Sequence, residues 1–209
     1  MTGHGRVAFV LAILFASGCT LAGGSGREAA REPAARRIVY DLLFTIRWRG
    51  VEIPGRMLFK TDSTGGSIAA SAIADSGPGL FALESGPAGE KIGFVQANIS
   101  MIPSFPRMAG LALKRTFLPW PGGTFAPVFD GGTVVTWNLG ESFLEERYDP
   151  DGNIVERRTL RGPEDWRVVF SGAGPSGRAS FAEALYSDPD EGFTMHVKVL
   201  DAKEQNESD

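Results

Sequence analysis

The chain has 209 residues and a formal net charge of −4 at pH 7, with 21 Lys and Arg residues against 25 Asp and Glu residues and a pI near 5.3. This balance excludes a basic surface that would hold nucleic acid or recruit the protein to anionic lipid head groups. The 43% hydrophobic content, with 27 Gly and 13 Pro, is typical of one globular domain built from short strands and tight turns.

The chain begins with a charged and then apolar leader that runs into its only cysteine. Arg6 carries the positive charge, and residues 7–15 form an apolar run of secretory length that is too short to span a bilayer. Small residues at 16–18 come directly before Cys19. This arrangement resembles the lipobox of bacterial lipoproteins, in which the leader is removed and the cysteine is diacylated. The alternative is an ordinary signal peptide in which Cys19 is incidental.

We predict a lipoprotein signal peptide over 1–18, followed by a lipidated Cys19 and a flexible tether over 19–37 that is rich in Gly, Ala and Arg. More than one acyl chain makes membrane anchoring effectively permanent. Thr20, rather than Asp, follows the cysteine. The resemblance to lipoproteins therefore implies the outer membrane of a Gram-negative cell, with the domain facing the periplasm. A lone cysteine builds no disulfide framework, so stability has to come from the core.

From residue 38 to residue 200 the apolar residues mostly recur with a period of two, which indicates strands with one buried face. The even positions of 38–49 are all apolar or aromatic. Turns rich in Gly, Pro and Asp separate the runs. About eleven strands in one antiparallel meander imply a barrel, an open barrel or a sandwich. The predicted strands are 38–49, 53–59, 67–74, 80–84, 91–99, 133–139, 142–148, 154–160, 166–170, 179–186 and 193–200.

The segment 104–118 departs from this alternation and predicts an amphipathic helix. Ser104 is a candidate N-cap, and a proline lies in the first turn, where its missing N–H costs nothing. Arg107, Lys114 and Arg115 fall on one side of the helix. The other side carries Phe105, Met108, Ala109, Ala112 and Thr116.

Little in the sequence points to catalysis. His196 is the only histidine after the leader, and it alternates outward from the apolar residues of the last strand. No zinc set and no Ser–His–Asp or Cys–His arrangement can be assembled from these residues. Glu145 and Glu146 are neighbours on a strand and therefore point to opposite faces. The run 149–153 predicts a hairpin turn, because its Gly falls fourth rather than sixth as in a calcium loop. We predict no enzyme, no cofactor and no metal site.

The apolar face of the first two strands and the apolar side of the helix are the candidates for a ligand cavity. A curved, partly open sheet of this many strands encloses more volume than its side chains fill, and such a cavity would hold an acyl chain. The alternative is that these residues are simply core. The cavity candidates are Tyr40, Leu42, Phe44, Ile46, Trp48, Met57, Phe59, Met108 and Ala112.

An aromatic segment rich in Pro and Gly, 120–129, predicts an irregular loop. It carries Trp120, Phe125 and Phe129. These side chains either pack as a lid over the cavity or contact a membrane or lipid.

The order of these elements resembles a specific family. A lipobox and tether precede a long first strand, a second strand reading PGRMLFK, a GLFALE step, the helix, the hairpin EERYDPDGNIVERR and the closing pair FAEALYSDPDEGFTMHVKVL. Over about 38–200 this resembles the lipoprotein-localisation superfamily of the LolA and LolB type, and the uncharacterised LolB-like outer-membrane lipoproteins most of all. The resemblance implies a mainly β, antiparallel half-open β-barrel of about eleven strands whose opening is covered by one or more short helices.

The same resemblance implies an apolar cavity that accepts acyl chains of a lipoprotein or lipid. LolB inserts lipoproteins with a protruding apolar loop between its third and fourth strands. The corresponding link here, 75–81, is short, and Leu80 is its candidate residue. The last nine residues, 201–209, are polar and acidic and predict a disordered tail.

Two functions follow from these observations. The first is an outer-membrane-anchored, non-catalytic lipoprotein that binds or transfers acyl chains, lipids or lipoproteins, with a periplasmic carrier protein as its partner. The alternative is a structural or assembly lipoprotein that acts through protein contacts at the outer membrane, with 120–129 as the contact surface.

Cys19→Ser is expected to abolish membrane association while the domain stays folded, because the thiol lies outside the first strand and the acidic chain offers no second electrostatic anchor. Membrane sedimentation after a high-salt wash, with circular dichroism of the soluble fraction, measures both effects. A serine variant that still sediments would overturn the lipoprotein assignment, and one that fails to fold would make the tether part of the domain.

Overall fold

The computed structural model describes residues 37–62, 66–86, 89–96, 99, 104–118, 124–127, 132–138, 140–175 and 179–205. The predicted signal peptide, Cys19, Trp120, Phe129 and residues 206–209 lie outside these residues. Within the described ranges, no helix has the length and hydropathy needed to cross a membrane.

Twelve strands form one antiparallel sheet in the order β5-β4-β3-β2-β1-β12-β11-β10-β9-β8-β7-β6, with β5 and β6 at its two edges. The mainly β, half-open barrel is therefore confirmed, with one strand more than the sequence predicts. The strands are β1 Arg37–Trp48, β2 Val51–Asp62, β3 Ile68–Ala74, β4 Gly79–Gly86, β5 Gly89–Val95, β6 Thr124–Pro127, β7 Thr133–Asn138, β8 Phe143–Tyr148, β9 Ile154–Arg161, β10 Arg167–Ser171, β11 Glu183–Asp188 and β12 Phe193–Gln205.

The three longest strands, β1, β2 and β12, lie side by side at the centre of the sheet. Their buried residues alternate with exposed ones, as the period of two predicts, so one face of each strand enters the core. Phe44, for example, lies between Gly55 of β2 and Val197 of β12 in the strand register. We call this buried side of the sheet the inner face and the opposite side the outer face.

The predicted helix is confirmed as α1, Phe105–Phe117, with Ser104 at its N-terminus. Ser104 makes no side-chain capping bond, and its backbone is already helical, with φ −86° and ψ −8°. The helix contacts β4 and β5 on one half of the sheet and β11 and β12 on the other. Because these pairs are separated by three strands in the sheet, the sheet must curve around the helix.

The structure corrects the sequence prediction in two segments, 120–129 and 201–205. The segment 120–129 is not wholly irregular, because Thr124–Pro127 forms β6 and pairs with β7. A proline is tolerated there because β6 is an edge strand with a free side. Residues 201–205 of the predicted disordered tail belong instead to β12, which runs to Gln205 and pairs with the first residues of β1. Two long neighbouring strands thus hold residues whose composition alone indicates disorder.

Gly55 of β2 lets the first three strands pack closely. A Cβ at this position would overlap the carbonyl oxygen of Ile73 and come within 2.9 Å of the Phe44 ring. Phe44 is 3% exposed and also packs against the ring of Phe81, 6.2 Å away between centroids. The glycine therefore provides the space into which a core aromatic side chain fits.

Gly55→Ala is expected to lower the free energy of unfolding by about 1–3 kcal/mol, because either a strand or the Phe44 ring has to move. Gly93→Ala on β5 is the matched control, since its new Cβ would make an ordinary 3.7 Å contact with Ala82. Urea unfolding of both variants measures the difference. Equal stabilities would show that the space at Gly55 is not required.

Candidate functional site

All nine predicted cavity residues belong to one buried core cluster, and none is more than 7% exposed. The side chains of Met108 and Ala112 come from α1, and the other seven come from the inner faces of β1 and β2. Three pockets formed by described residues, of about 320, 790 and 470 Å³, contain none of the nine. In this conformation the helix and the inner face are packed against each other.

Aromatic side chains join the C-terminal end of α1 to the sheet. The ring centroid of Phe117 lies 4.9 Å from that of Tyr40, 4.6 Å from that of Phe59 and 5.4 Å from that of Phe181. At the other end of the helix, Phe105 packs edge-on against Phe81 at 5.5 Å. Both ends of the helix are thus seated on aromatic residues of the inner face.

A buried arginine of the sheet binds the backbone at the end of the helix. Arg157 of β9 donates through Nη1 to the carbonyl oxygens of Arg115, Thr116 and Leu118. The last carbonyls of a helix have no partner within the helix, and they carry its negative dipole end. Arg157 therefore provides these buried carbonyls with hydrogen-bond donors, and its positive charge lies at the negative end of the helix dipole.

Glu146 of β8 balances the charge of Arg157. It accepts a hydrogen bond of 2.6 Å from Nε of Arg157 and one of 2.8 Å from the Tyr148 hydroxyl. Burial lowers the pKa of the Arg157 guanidinium, and Glu146 opposes that shift. Burial and the hydrogen bond to Glu146 raise the pKa of Tyr148 to about 12, so this hydroxyl stays protonated as a donor.

A second arginine makes the reciprocal contact, from the helix to the sheet. Arg115 is 6% exposed, which corrects its predicted place on the polar side of α1. It donates to the Tyr186 hydroxyl at 2.7 Å and to the Glu164 carboxylate, and its guanidinium lies 4.7 Å from the ring centroid of Trp166. The Tyr186 hydroxyl in turn donates to Asp188 at 3.2 Å. Charged partners on the sheet therefore draw Arg115 inward, against its sequence pattern.

The outer face of β8–β10 carries a separate set of ion pairs. Glu145 lies 2.7 Å from Arg147 and 2.9 Å from Arg158, and Glu156 lies 2.6 Å from Arg167. The prediction that Glu145 and Glu146 face opposite ways is thus confirmed. The pairs with Arg158 and Arg167 connect neighbouring strands, whereas the pair with Arg147 lies within β8.

The remaining chemical candidates lie apart from the helix. His196 is exposed on the outer face, 3.4 Å from Glu183, as the sequence predicts for a surface histidine. Asp149 accepts hydrogen bonds from the backbone and side chain of Asn153, which confirms the hairpin turn. Among the described residues, no group of three His, Cys, Asp or Glu side chains is placed to hold a metal ion.

The four lid or membrane-loop candidates do not form a single described surface. Leu80 is 4% exposed at the start of β4, so its side chain lies inside the protein rather than at a protruding tip. The backbone of Phe125 belongs to β6. Trp120 and Phe129 lie outside the described residues, and their role stays a prediction.

The two buried arginine contacts are what the sequence analysis missed. A usable signal exists in the hairpin EERYDPDGNIVERR, because its register places Glu146 directly opposite Arg157. Glu146 also shares the buried side of β8 with Leu144, so an opposite-charge pair at an inward position could have been found. The contact of Arg115 carries no comparable local signal, since Tyr186 lies 71 residues away.

Solved structures that resemble this chain include a "putative outer membrane lipoprotein-sorting protein domain" from Vibrio parahaemolyticus. It has a TM-score of 0.47 and 11% identity, and the match covers 83% of this chain and 87% of that one. A DUF1329 family protein from Desulfovibrio piger has a TM-score of 0.46 and 10% identity, covering 84% and 88%.

No protein-family model and no curated protein matches the chain. At identities of 10–11% and TM-scores below 0.5, the structural likenesses carry no conclusion about function. Function is therefore argued below from the residues of this chain.

Arg157→Met is expected to lower the free energy of unfolding by about 3–5 kcal/mol, because Glu146 and three carbonyls lose their buried partner. Adding Glu146→Met should recover part of that loss, since no buried charge is then left alone. Arg56→Ala, which breaks an exposed pair with Asp41, is the control and should cost about 1 kcal/mol or less. Urea unfolding of the three variants and the unchanged protein tests this, and equal losses for Arg157→Met and Arg56→Ala would contradict it.

Proposed function

We propose that the protein is an outer-membrane-anchored lipoprotein that binds or transfers acyl chains, as lipids or as the acyl groups of other lipoproteins. Its anchor is the lipidated Cys19, and its domain faces the periplasm, where it exchanges its ligand with a carrier protein. The acyl chain occupies the space between α1 and the inner face, and the helix moves aside to admit it. The protein shields an apolar chain from water and performs no chemistry on it.

The observation that carries this proposal is that a helix packs over an inner face that is apolar on its central strands. The buried sides of β1 and β2 are apolar or aromatic along most of their length, including Leu42, Ile46, Met57 and Phe59, and they belong to the same core cluster as the buried residues of α1. The charged contacts of Arg157 and Arg115 are confined to the C-terminal half of the helix. A shift of the N-terminal half would therefore open an apolar surface without breaking either charged contact.

The energetic balance suits a carrier. Burying an acyl chain of sixteen carbons is worth roughly 10 kcal/mol before the costs of ordering it. Against this gain stand the helix contacts that the chain replaces, chiefly the Phe105 ring against the Phe81 ring and the packing of α1 on β4 and β5. When the free energy of the displaced protein contacts is similar to that of burying the ligand, the ligand binds reversibly and can be transferred to another protein.

A cross-link that holds the N-terminal half of α1 to the sheet tests the proposal. The Glu90 carboxylate carbon lies 3.9 Å from the position of a Cβ on Gly110, so Glu90→Cys and Gly110→Cys in a Cys19→Ser background can be joined by a short thiol cross-linker. Binding of a fluorescent fatty acid is expected to fall at least tenfold on cross-linking and to be retained in the same variant before the cross-linker is added.

The uncross-linked double variant is the matched control, because it has the same side chains. Equal affinity before and after cross-linking would place the ligand elsewhere. Absence of fatty-acid binding by the Cys19→Ser protein at micromolar concentrations would overturn the acyl-binding function itself and favour a role through protein contacts.

A further inference from the structure

Two adjoining pockets lie at the β2–β5 end of the sheet, and none of the nine predicted cavity residues lines either of them. The first, which we call the trough, has a volume of about 320 Å³ and lies over the outer face of β2–β5. The second, the end pocket, has a volume of about 790 Å³ and reaches round the ends of the same strands. Lys60, Ala69, Glu84 and Lys91 line both, so the two volumes are continuous.

The strand register explains the shape of the trough. One row across β2–β5 pairs Leu58 with Ser71, Ser71 with Ala82 and Ala82 with Phe94. Small residues therefore form a floor between two large side chains, and those side chains are 48% and 50% exposed. Of these two large side chains, Leu58 lines the trough beside the floor, so an apolar chain lying along the floor would contact it.

The next outward-facing row changes from apolar to charged. It runs from Lys60 through Ala69 and Glu84 to Lys91. The step is two residues along β2, β3 and β4, or about 6.6 Å, and three residues along β5, where the register shifts. The lining of the trough therefore passes from Leu58, Ser71 and Ala82 to two lysines with the Glu84 carboxylate between them. An apolar floor that ends at two cations and one carboxylate fits an amphipathic ligand whose head carries both a phosphate and an ammonium group.

The end pocket supplies polar groups that lack partners within the protein. Arg37, Lys60 and Lys91 line it, and no described carboxylate lies within ion-pair distance of any of them. Ser85 also lines it, is 2% exposed, and its Oγ has no hydrogen-bond partner among the described residues. A buried hydroxyl without a hydrogen-bond partner lowers the stability of the folded protein. A ligand that forms a hydrogen bond with it therefore gains a favourable interaction that the protein alone does not make.

We propose that the trough and the end pocket bind one glycerophospholipid, with its phosphate between Lys60 and Lys91 and an acyl chain along Ser71 and Ala82. The carboxylate of Glu84, which lies between the two lysines in the same row, suits an ammonium group, which favours a phosphoethanolamine head. None of the nine cavity candidates of the inner face lines this site, and the site rests on the proposed function only for its location at a membrane.

The position of the site agrees with that location. Arg37, the first described residue, lines the end pocket, so the chain enters the sheet beside it, from the direction of Cys19 in the sequence. Binding one lipid there would turn the β2–β5 end of the sheet toward the bilayer. It would orient a protein that its acyl groups already anchor.

The test titrates the full chain carrying Cys19→Ser with dihexanoylphosphatidylethanolamine below its micelle concentration, followed by amide chemical shifts. Saturable shifts at Leu58, Ser71 and Ala82 are expected, together with affinity at least tenfold higher than for glycerophosphoethanolamine or hexyl glucoside, which supply head or chain alone. Equal shifts with hexyl glucoside, or saturable shifts only outside β2–β5, would overturn the proposal.

Two variants locate the site. Leu58→Gln is expected to weaken binding at least tenfold, whereas Leu185→Gln on the outer face of β11, where the leucine is 45% exposed, should leave it unchanged. Equal weakening by both would indicate unspecific apolar contact and overturn the site. Leu58→Gln should leave fluorescent fatty-acid binding to the inner face unchanged. The phospholipid site and the acyl-binding function are therefore tested independently.

Discussion

The C-terminus of α1 ends inside the protein, and that single constraint explains much of the buried polar structure. Backbone carbonyls at a helix end are normally satisfied by water or by a glycine-containing turn. Here the end of the helix packs against the inner face, and Arg157 provides donors from the sheet. A buried arginine then requires a carboxylate, which Glu146 supplies, and Tyr148 occupies the second oxygen of that carboxylate. Each group is present because the previous one needs a partner.

The second arginine makes the arrangement reciprocal. Arg157 reaches from the sheet to the helix, and Arg115 reaches from the helix to Tyr186 and Glu164. Apolar packing alone would allow the helix to rotate or slide over the inner face, because contacts between hydrocarbon surfaces have little direction. Hydrogen bonds to planar guanidinium groups are directional, so two of them at one end define both the rotation and the depth of the helix. The structure thus combines a fixed helix end with an end held by aromatic and aliphatic contacts.

The sequence predicts most strands and the helix correctly, but it does not predict the places where the structure departs from the local pattern. A period of two identifies eleven of the twelve strands, and the 3.6-residue pattern with flanking prolines identifies the helix to within one residue at each end. It fails at β6, where Pro and Gly suggest a loop, and at the end of β12, where pairing with β1 overrides a polar composition. The nine cavity candidates all lie in the buried core cluster, and their role as a ligand cavity stays a prediction. Arg115 is misassigned, because its partners lie far away in sequence, and only the fold brings them to the helix.

The free edges of the sheet have a mechanical consequence. In a closed barrel the number of strands and their stagger fix the circumference, so the interior cannot widen without breaking backbone hydrogen bonds. In this sheet β5 and β6 are both terminal strands, and the ladder between them is not continuous. The sheet can therefore change its curvature while the backbone hydrogen bonds of every strand pair stay intact. The volume enclosed by the sheet therefore depends on what packs against its inner face, and the main such element is the helix α1.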